Sequence, residues 1–511
     1  MIILESKTRN TSRSIKWGII NKVASIVLPF AVRTTIIYFL GIEYAGLGSL
    51  FTSILSVLSL AELGFSSAIV FSMYKPVAEN DIAKVNAYLN FYRRCYRIIG
   101  SIVLIIGLVL MPLIPYLING GYPADINIYV LYCIYLFNTV ISYFLFAYKR
   151  SIFSVTQRND IISNISTILL ILADFVQIGL LCLFRNYYAY IVIIPVMTIA
   201  NNVILAVCAK RIYPEIKGEG EITKDEKRII YQKLNGLIYQ KIGEVILGSV
   251  DTIVISAYMG LEILAIYNNY YYIISALFGF FAVIQTSLIP SVGNSMHLNS
   301  VEKNYSDFQF FHFLYIVCNI FCAACLLPLY QPFIRIWVGE RYMLEMPLVV
   351  LLTIYFYTYK ISDICSIYKF ASGLWDKWKM VPMIAGVVNL VFNLALSYFW
   401  GLYGIIISSI ISILGVYLPF YCFPLFKYYF KSVSKFWHYI NTQFMYMMVA
   451  AIIIILTYYS SSFIKGNGIP LFLIKGLLTA SVAFILLVLF ISFTKFKERL
   501  ICFIKRIIKA K

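Results

Sequence analysis

Apolar residues run through the chain in long stretches separated by short polar segments, most close to the ~20 residues a helix needs to cross a membrane. This spacing predicts spans near residues 17–40, 46–72, 98–118, 128–148, 161–184 and 188–209. A second series follows near 236–258, 263–291, 309–330, 344–368, 380–399 and 402–424, with a last pair near 441–460 and 470–493. The runs lack the apolar–polar alternation of lipid-facing strands, so helices are expected rather than a barrel. The expected fold is all-α and polytopic, with about 14 transmembrane helices.

The first two series look like repeats. A shift of 219 positions lays Gly41-Ile42-Glu43-Tyr44-Ala45-Gly46 over Gly260-Leu261-Glu262-Ile263-Leu264-Ala265, and Lys22 over Lys241. A shift across six helices preserves orientation, which makes these parallel repeats about an axis along the membrane normal. Three regions follow: a six-helix bundle over 1–215, a second over 216–430, and an appended helix pair with a basic tail over 431–511. The polar linker Lys210 to Asn235 is expected as a surface helix or loop.

Composition agrees with the pattern. Of 511 residues, 61% are hydrophobic and only 13% charged, about half the charged fraction of a soluble domain. The net charge of +19 is topological, and no nucleic-acid partner is expected. Lys and Arg concentrate in the tails and even-numbered loops, whereas outward loops hold only Arg185, Arg335, Arg341 and Lys465. That asymmetry predicts both termini in the cytoplasm and a basic inner surface that attracts anionic membrane lipids. The polar segment Met1 to Ser14 precedes a full-length span without a small-residue cleavage site, so no removed signal peptide is expected. Among the ten cysteines, Cys318, Cys322 and Cys325 are expected at a helix contact. The three histidines have no metal-ligand spacing, there is no nucleotide-binding loop, and no cofactor is expected.

Charges within the spans carry the chemistry. Arg33 lies deep in the first, where a charge costs at least ~2.5 kcal/mol unless it meets a polar cavity or a partner. Apolar helices with interior charges form the pattern of a transporter. Lys22, Ser25, Pro29 and Arg33 recur at spacings of 3, 4 and 4, and Lys241, Glu244, Gly248 and Asp251 at 3, 4 and 3, each set on one helix face. As repeat equivalents, both stripes are expected to face one central cleft, with Glu244 able to pair with Lys241. The competing reading has Lys22 and Lys241 snorkelling to the interface and Arg33 with Asp251 as a structural ion pair. Lys360 and Asp363 stand three residues apart in span ten. Asp174, Glu244, Asp251, Glu62 and Asp363 are the candidate sites for a coupling ion, proton or sodium; a packing hydrogen bond is the alternative role for Asp174 and Glu62.

Two stretches resemble a known family. One runs from Asn21 through Leu40-Gly41-Ile42-Glu43-Tyr44-Ala45-Gly46 to Ser59-Leu60-Ala61-Glu62-Leu63-Gly64 and Tyr74-Lys75-Pro76. The other is Asn389-Leu390-Val391-Phe392-Asn393 followed by Gly401-Leu402-Tyr403-Gly404. They resemble the lipid-linked oligosaccharide flippases of the polysaccharide-biosynthesis family, in the multidrug/oligosaccharidyl-lipid/polysaccharide exporter superfamily. The resemblance implies two bundles around a V-shaped cavity, alternating access, and a bacterial cytoplasmic membrane location. It implies an undecaprenyl-diphosphate-linked glycan as cargo, with a polysaccharide polymerase and glycosyltransferases as partners. A diphosphate calls for a cationic cavity, a role that Arg33, Lys22, Lys241 and Lys360 fit; Glu244 and Asp251 depart from it. The alternative is a multidrug or amphiphile exporter on the same scaffold, with an acidic, aromatic-lined cavity. A membrane enzyme ranks last, because the outward loops are short and contain no histidine.

Overall fold

A computed structural model describes residues 7–509, apart from 63, 373–376, 378 and 465. Lys465 and residues 1–6 of the polar N-terminal segment therefore lie outside the described residues. Everything described is helix, turn or loop, with no strand. Packing divides the chain into two compact units, 1–268 and 269–511.

The first unit holds α1 (Lys7–Phe39), α2 (Ile42–Leu58), α3 (Phe65–Ala78), α4 (Ile82–Leu110), α5 (Ile128–Phe144), α6 (Arg150–Val155), α7 (Asn159–Phe184), α8 (Tyr187–Ile191), α9 (Ile193–Ile212) and α10 (Lys224–Met259). It ends within the first turns of α11 (Leu261–Leu298). The second holds the rest of α11, then α12 (Val301–Trp337), α13 (Met346–Lys360), α14 (Asp363–Ser372), α15 (Val381–Ile411), α16 (Leu418–Pro424), α17 (Val433–Ser461), α18 (Ile469–Ser492) and α19 (Lys497–Lys509). The contact boundary and the repeat boundary near 215 measure different things, packing in one case and internal similarity in the other.

Among the described residues eleven helices are long and apolar enough to cross a membrane, or twelve if the bent pair Ile128–Phe144 and Ala147–Val155 is one span. The chain is a multi-pass membrane protein. Two features hold the count below the expected fourteen, each with a local cause. The expected span 46–72 is interrupted: α2 is only 17 residues long, a 3₁₀ turn follows at Ser59–Glu62, and Gly64 sits at φ 80° before α3. Val381–Tyr429 runs as one helical stretch but doubles back at Gly401, whose φ of 54° and ψ of −130° are not helical. Beyond that turn Asn389 Nδ2 donates to Ser409 Oγ at 3.0 Å, Ser412 Oγ to Ala385 O at 2.5 Å, and Ser408 Oγ to Asn393 Oδ1. Residues 20 apart on a straight helix would be roughly 30 Å apart, so 380–399 and 402–424 are two antiparallel passes.

The repeat turns match in backbone. Gly41 (φ 122°, ψ 165°) joins α1 to α2, and Gly260 (φ 88°, ψ 178°) joins α10 to α11. Both sit where a Cβ is strained, which explains a glycine at the same place in each copy. The linker is a loop over 213–223 strapped to α4. Gly218 N donates to Asn86 Oδ1 at 2.6 Å, Asn90 Nδ2 to Gly220 O at 2.7 Å, and Arg94 pairs with Glu221 at 2.7 Å. That hydrogen bond and charge hold the Glu221 carboxyl below its usual range. Thr223 then caps α10 reciprocally with Glu226.

Candidate functional site

Arg33 sits on α1 twelve positions into the apolar stretch Asn21–Phe39. Its Nη1 donates to Ser49 Oγ of α2 at 3.4 Å and its Nη2 to the Ala265 carbonyl of α11 at 3.2 Å. Two helices thus fix one guanidinium through its fork. The α2–α11 approach is backbone to backbone: a Cβ on Gly46 would lie 2.5 Å from Leu261 O. Gly48 leaves similar room for two phenols, with a Cβ there falling 3.1 Å from Tyr187 Oη and 3.2 Å from Tyr135 Oη. Tyr187 packs against Tyr44 and Tyr190, ring centroids 5.4 Å apart in both cases. Both Tyr187 and Tyr190 lie within electrostatic reach of Arg33, and Tyr190 also of Asp174.

Asp174, on α7, is 5% exposed. Among the described residues its Oδ2 accepts no hydrogen bond. Gln177, one turn on, donates to the Tyr190 carbonyl at 3.4 Å. The structure therefore brings Arg33 and Asp174 into one neighbourhood linked by Tyr187 and Tyr190, two residues that spacing arguments did not single out.

The remaining candidates fall elsewhere. Lys22 is exposed, as are Lys241 and Glu244, which form the anticipated pair at 2.7 Å, with Gln240 Nε2 donating to Glu244 at 2.8 Å. Asp251, further along that stripe, is buried. Glu62 lies at the break between α2 and α3 and accepts from Tyr96 Oη at 2.6 Å and Tyr143 Oη at 3.4 Å, with Tyr92 donating to Tyr96 at 2.7 Å. This tyrosine relay left only a faint trace in the sequence, the i, i+4 spacing of Tyr92 and Tyr96.

In the second unit, span ten is broken at Ile361–Ser362, between α13 and α14. Lys360 ends one helix and Asp363 begins the next, and they pair at 2.9 Å with side chains 8% and 14% exposed. Each charge sits where the helix dipole favours it, a cation at a C-terminus and an anion at an N-terminus. The Lys360 ammonium also lies 4.5 Å from the Phe278 ring centroid and 5.0 Å from that of Tyr359, and Tyr315 Oη donates to Asp363. The carbonyl of Ile361 accepts from Tyr439 Oη at 3.2 Å and Gln443 Nε2 at 3.1 Å. His312 meets the same Gln443 nitrogen at 2.9 Å, so its Nε2 is the acceptor. Cys318, Cys322 and Cys325 lie half-buried on α12, and no described group of three metal-binding side chains is arranged to hold an ion.

No family model and no curated protein matches the chain in sequence. Solved structures match in fold. Against the lipid II flippase MurJ in an inward closed conformation, the TM-score is 0.64 at 15% identity, covering 95% of this chain and 100% of that one. An inward-facing multidrug resistance MATE family transporter of the MOP superfamily matches at TM-score 0.57 and 12% identity, over 76% of this chain and 91% of that one. A mutant of the Vibrio cholerae MATE transporter VcmN matches at 0.53 and 13%, over 83% and 100% respectively. In fold, the chain is similar to these three transporters.

Proposed function

We propose that the chain is a flippase that moves an undecaprenyl-diphosphate-linked oligosaccharide repeat unit across the cytoplasmic membrane for surface polysaccharide synthesis, by alternating access. The observation that carries the proposal is Arg33, a guanidinium at membrane depth oriented by a hydroxyl and a backbone carbonyl from two other helices. That geometry suits a fixed, planar contact to a diphosphate or an acidic sugar. Lys22 and Lys241, exposed on α1 and α10, are further cationic contacts away from that neighbourhood, and a polymerase and glycosyltransferases are the partners. The likeness in fold to a lipid II flippase over 95% of the chain supports a lipid cargo. The likeness to MATE transporters supports the second reading, an amphiphile exporter, which a cationic site fits less well.

The test is export in cells. Arg33→Ala should abolish surface polysaccharide while leaving the protein in the membrane, and Arg33→Lys should keep part of the activity only if charge alone suffices. Normal surface polysaccharide in Arg33→Ala would sink the reading, and loss of drug tolerance in its place would favour the exporter.

A further inference from the structure

The last span ends in a helix that the transport reading does not use. In α19 the sequence Lys497-Glu498-Arg499-Leu500-Ile501-Cys502-Phe503-Ile504-Lys505 sets apolar residues at helical spacing among cations. Arg499 clamps it to the first turns of α12: Nη1 donates to Ser306 O at 3.0 Å and Ser306 Oγ at 3.1 Å, Nη2 pairs with Asp307, and the guanidinium lies 4.5 Å from the Phe310 centroid. Phe496, just before the helix, stacks on Phe313 at 4.9 Å, and Phe503 meets Phe310 at 5.9 Å. One side of α19 is therefore bound to protein. On the other side Ile501 and Ile504 are 43% and 46% exposed.

The same end of the unit gathers three span termini. Lys435, in the first turn of α17, has its ammonium 4.6 Å from the Tyr305 ring, one residue from the Arg499 clamp. The starts of α12 and α17 and the end of α18 thus share one face, which the distribution of Lys and Arg puts inside. Trp437, 59% exposed near the start of α17, is the kind of residue that marks a headgroup layer. Lys495, Lys497 and Lys505, just before and along α19, are exposed.

We propose that α19 is an interfacial helix that binds anionic phospholipid. Ile501 and Ile504 enter the acyl boundary, while Lys495, Lys497, Lys505 and Lys435 hold lipid phosphates, and Arg499 is the positioning residue that fixes the helix in the headgroup plane. Charge complementarity selects the occupant: the face is basic, and the inner leaflet supplies anionic headgroups. A polybasic contact of three lysines is worth roughly a hundredfold in affinity at about 1 kcal/mol each, and a tenfold effect survives heavy salt screening.

The experiment uses the full chain in nanodiscs and needs no cargo, so its outcome is independent of the flippase reading. Native mass spectrometry should show phosphatidylglycerol retained over phosphatidylcholine, with the Lys495→Gln/Lys497→Gln/Lys505→Gln variant losing at least about tenfold of that excess. Equal retention of the two lipids by the wild type, or unchanged retention by the variant, overturns the proposal. Amide exchange gives an independent reading on the unmodified protein. Residues 497–505 should be more protected in phosphatidylglycerol than in phosphatidylcholine discs, and Arg499→Gln should remove that difference. Identical protection in both lipids, or a difference that persists in Arg499→Gln, refutes the clamp.

Discussion

The Lys360–Asp363 pair makes a quantitative prediction because both charges are buried at a helix break. At 2.9 Å and an effective dielectric constant of about 20, the attraction is roughly 6 kcal/mol, and the cost of desolvating the two ions is of similar size. The pair as a whole is therefore close to neutral for stability, whereas removing one partner strands a buried charge at a cost of about 3–5 kcal/mol. Asp363→Asn leaves Lys360 among Phe278 and Tyr359 without its counter-ion, and Lys360→Met leaves Asp363 with only the Tyr315 hydroxyl among the contacts described above. The double variant removes both charges and nearly keeps both shapes. For a unit of 243 residues (269 to 511), 1 kcal/mol moves the melting midpoint by about 2–4 °C, so each single variant should melt several degrees low. The double variant should recover most of that loss. Thermal unfolding of detergent-purified protein, followed by size-exclusion fluorescence, reads all four forms. A single variant that melts with the wild type, or a double variant as unstable as the worse single, would show that the two charges do not act as a pair. If the double variant is stable yet exports nothing, Lys360 does more than hold the break.

Two further outcomes follow from the first unit. In a cysteine-free background, Tyr44→Cys with Leu264→Cys should cross-link on oxidation and stop export; adding Gly46→Ala should cut the yield about fivefold or more, because a Cβ 2.5 Å from Leu261 O forces α2 from α11 at ~1–3 kcal/mol. A cross-link that forms with export unchanged, or a yield indifferent to Gly46→Ala, means this contact does not open during transport. Reconstituted transport should respond to an imposed proton or sodium gradient and lose that response in Asp174→Asn; equal rates with and without either gradient would point to facilitated flipping drawn by polymerisation outside.

Much of this was legible in the sequence because hydrophobic periodicity and glycine carry strong local signals. The two passes on either side of Gly401 read as separate spans, and the matched turns at Gly41 and Gly260 read as repeats, since both need a backbone conformation that other residues resist. The charges at depth were equally plain. Their partners were not. Arg33 is oriented by a backbone carbonyl 232 residues away, and a carbonyl leaves no mark in composition. The relay on Glu62 uses three of 42 tyrosines, a residue too common here for any one to stand out. The break after Lys360 has neither glycine nor proline at Ile361–Ser362, so its only trace was the adjacency of two opposite charges. The interruption of the second span was missed for a different reason: α2 and α3 together are apolar enough to read as one helix, and only Gly64 marks the change.

The breaks also account for why the charges lie where they do. Irregular backbone at membrane depth persists only where protein or a water-filled cavity satisfies it, and each break exposes helix ends with partial charges of known sign. Asp363 opens α14 and Lys360 closes α13, so both have the sign their helix end favours, whereas Glu62, the last residue of the 3₁₀ turn after α2, is held by the hydroxyls of Tyr96 and Tyr143. A continuous helix would bury the same residues without that support, at the full cost of a charge in hydrocarbon. Arg33 differs. It lies within a regular helix and draws its support from Ser49 and Ala265 on neighbouring ones, so its stabilisation changes when those helices move. Under the proposed function, that dependence on the separation of α2 and α11 is what would let Arg33 link cargo binding to a movement of those helices.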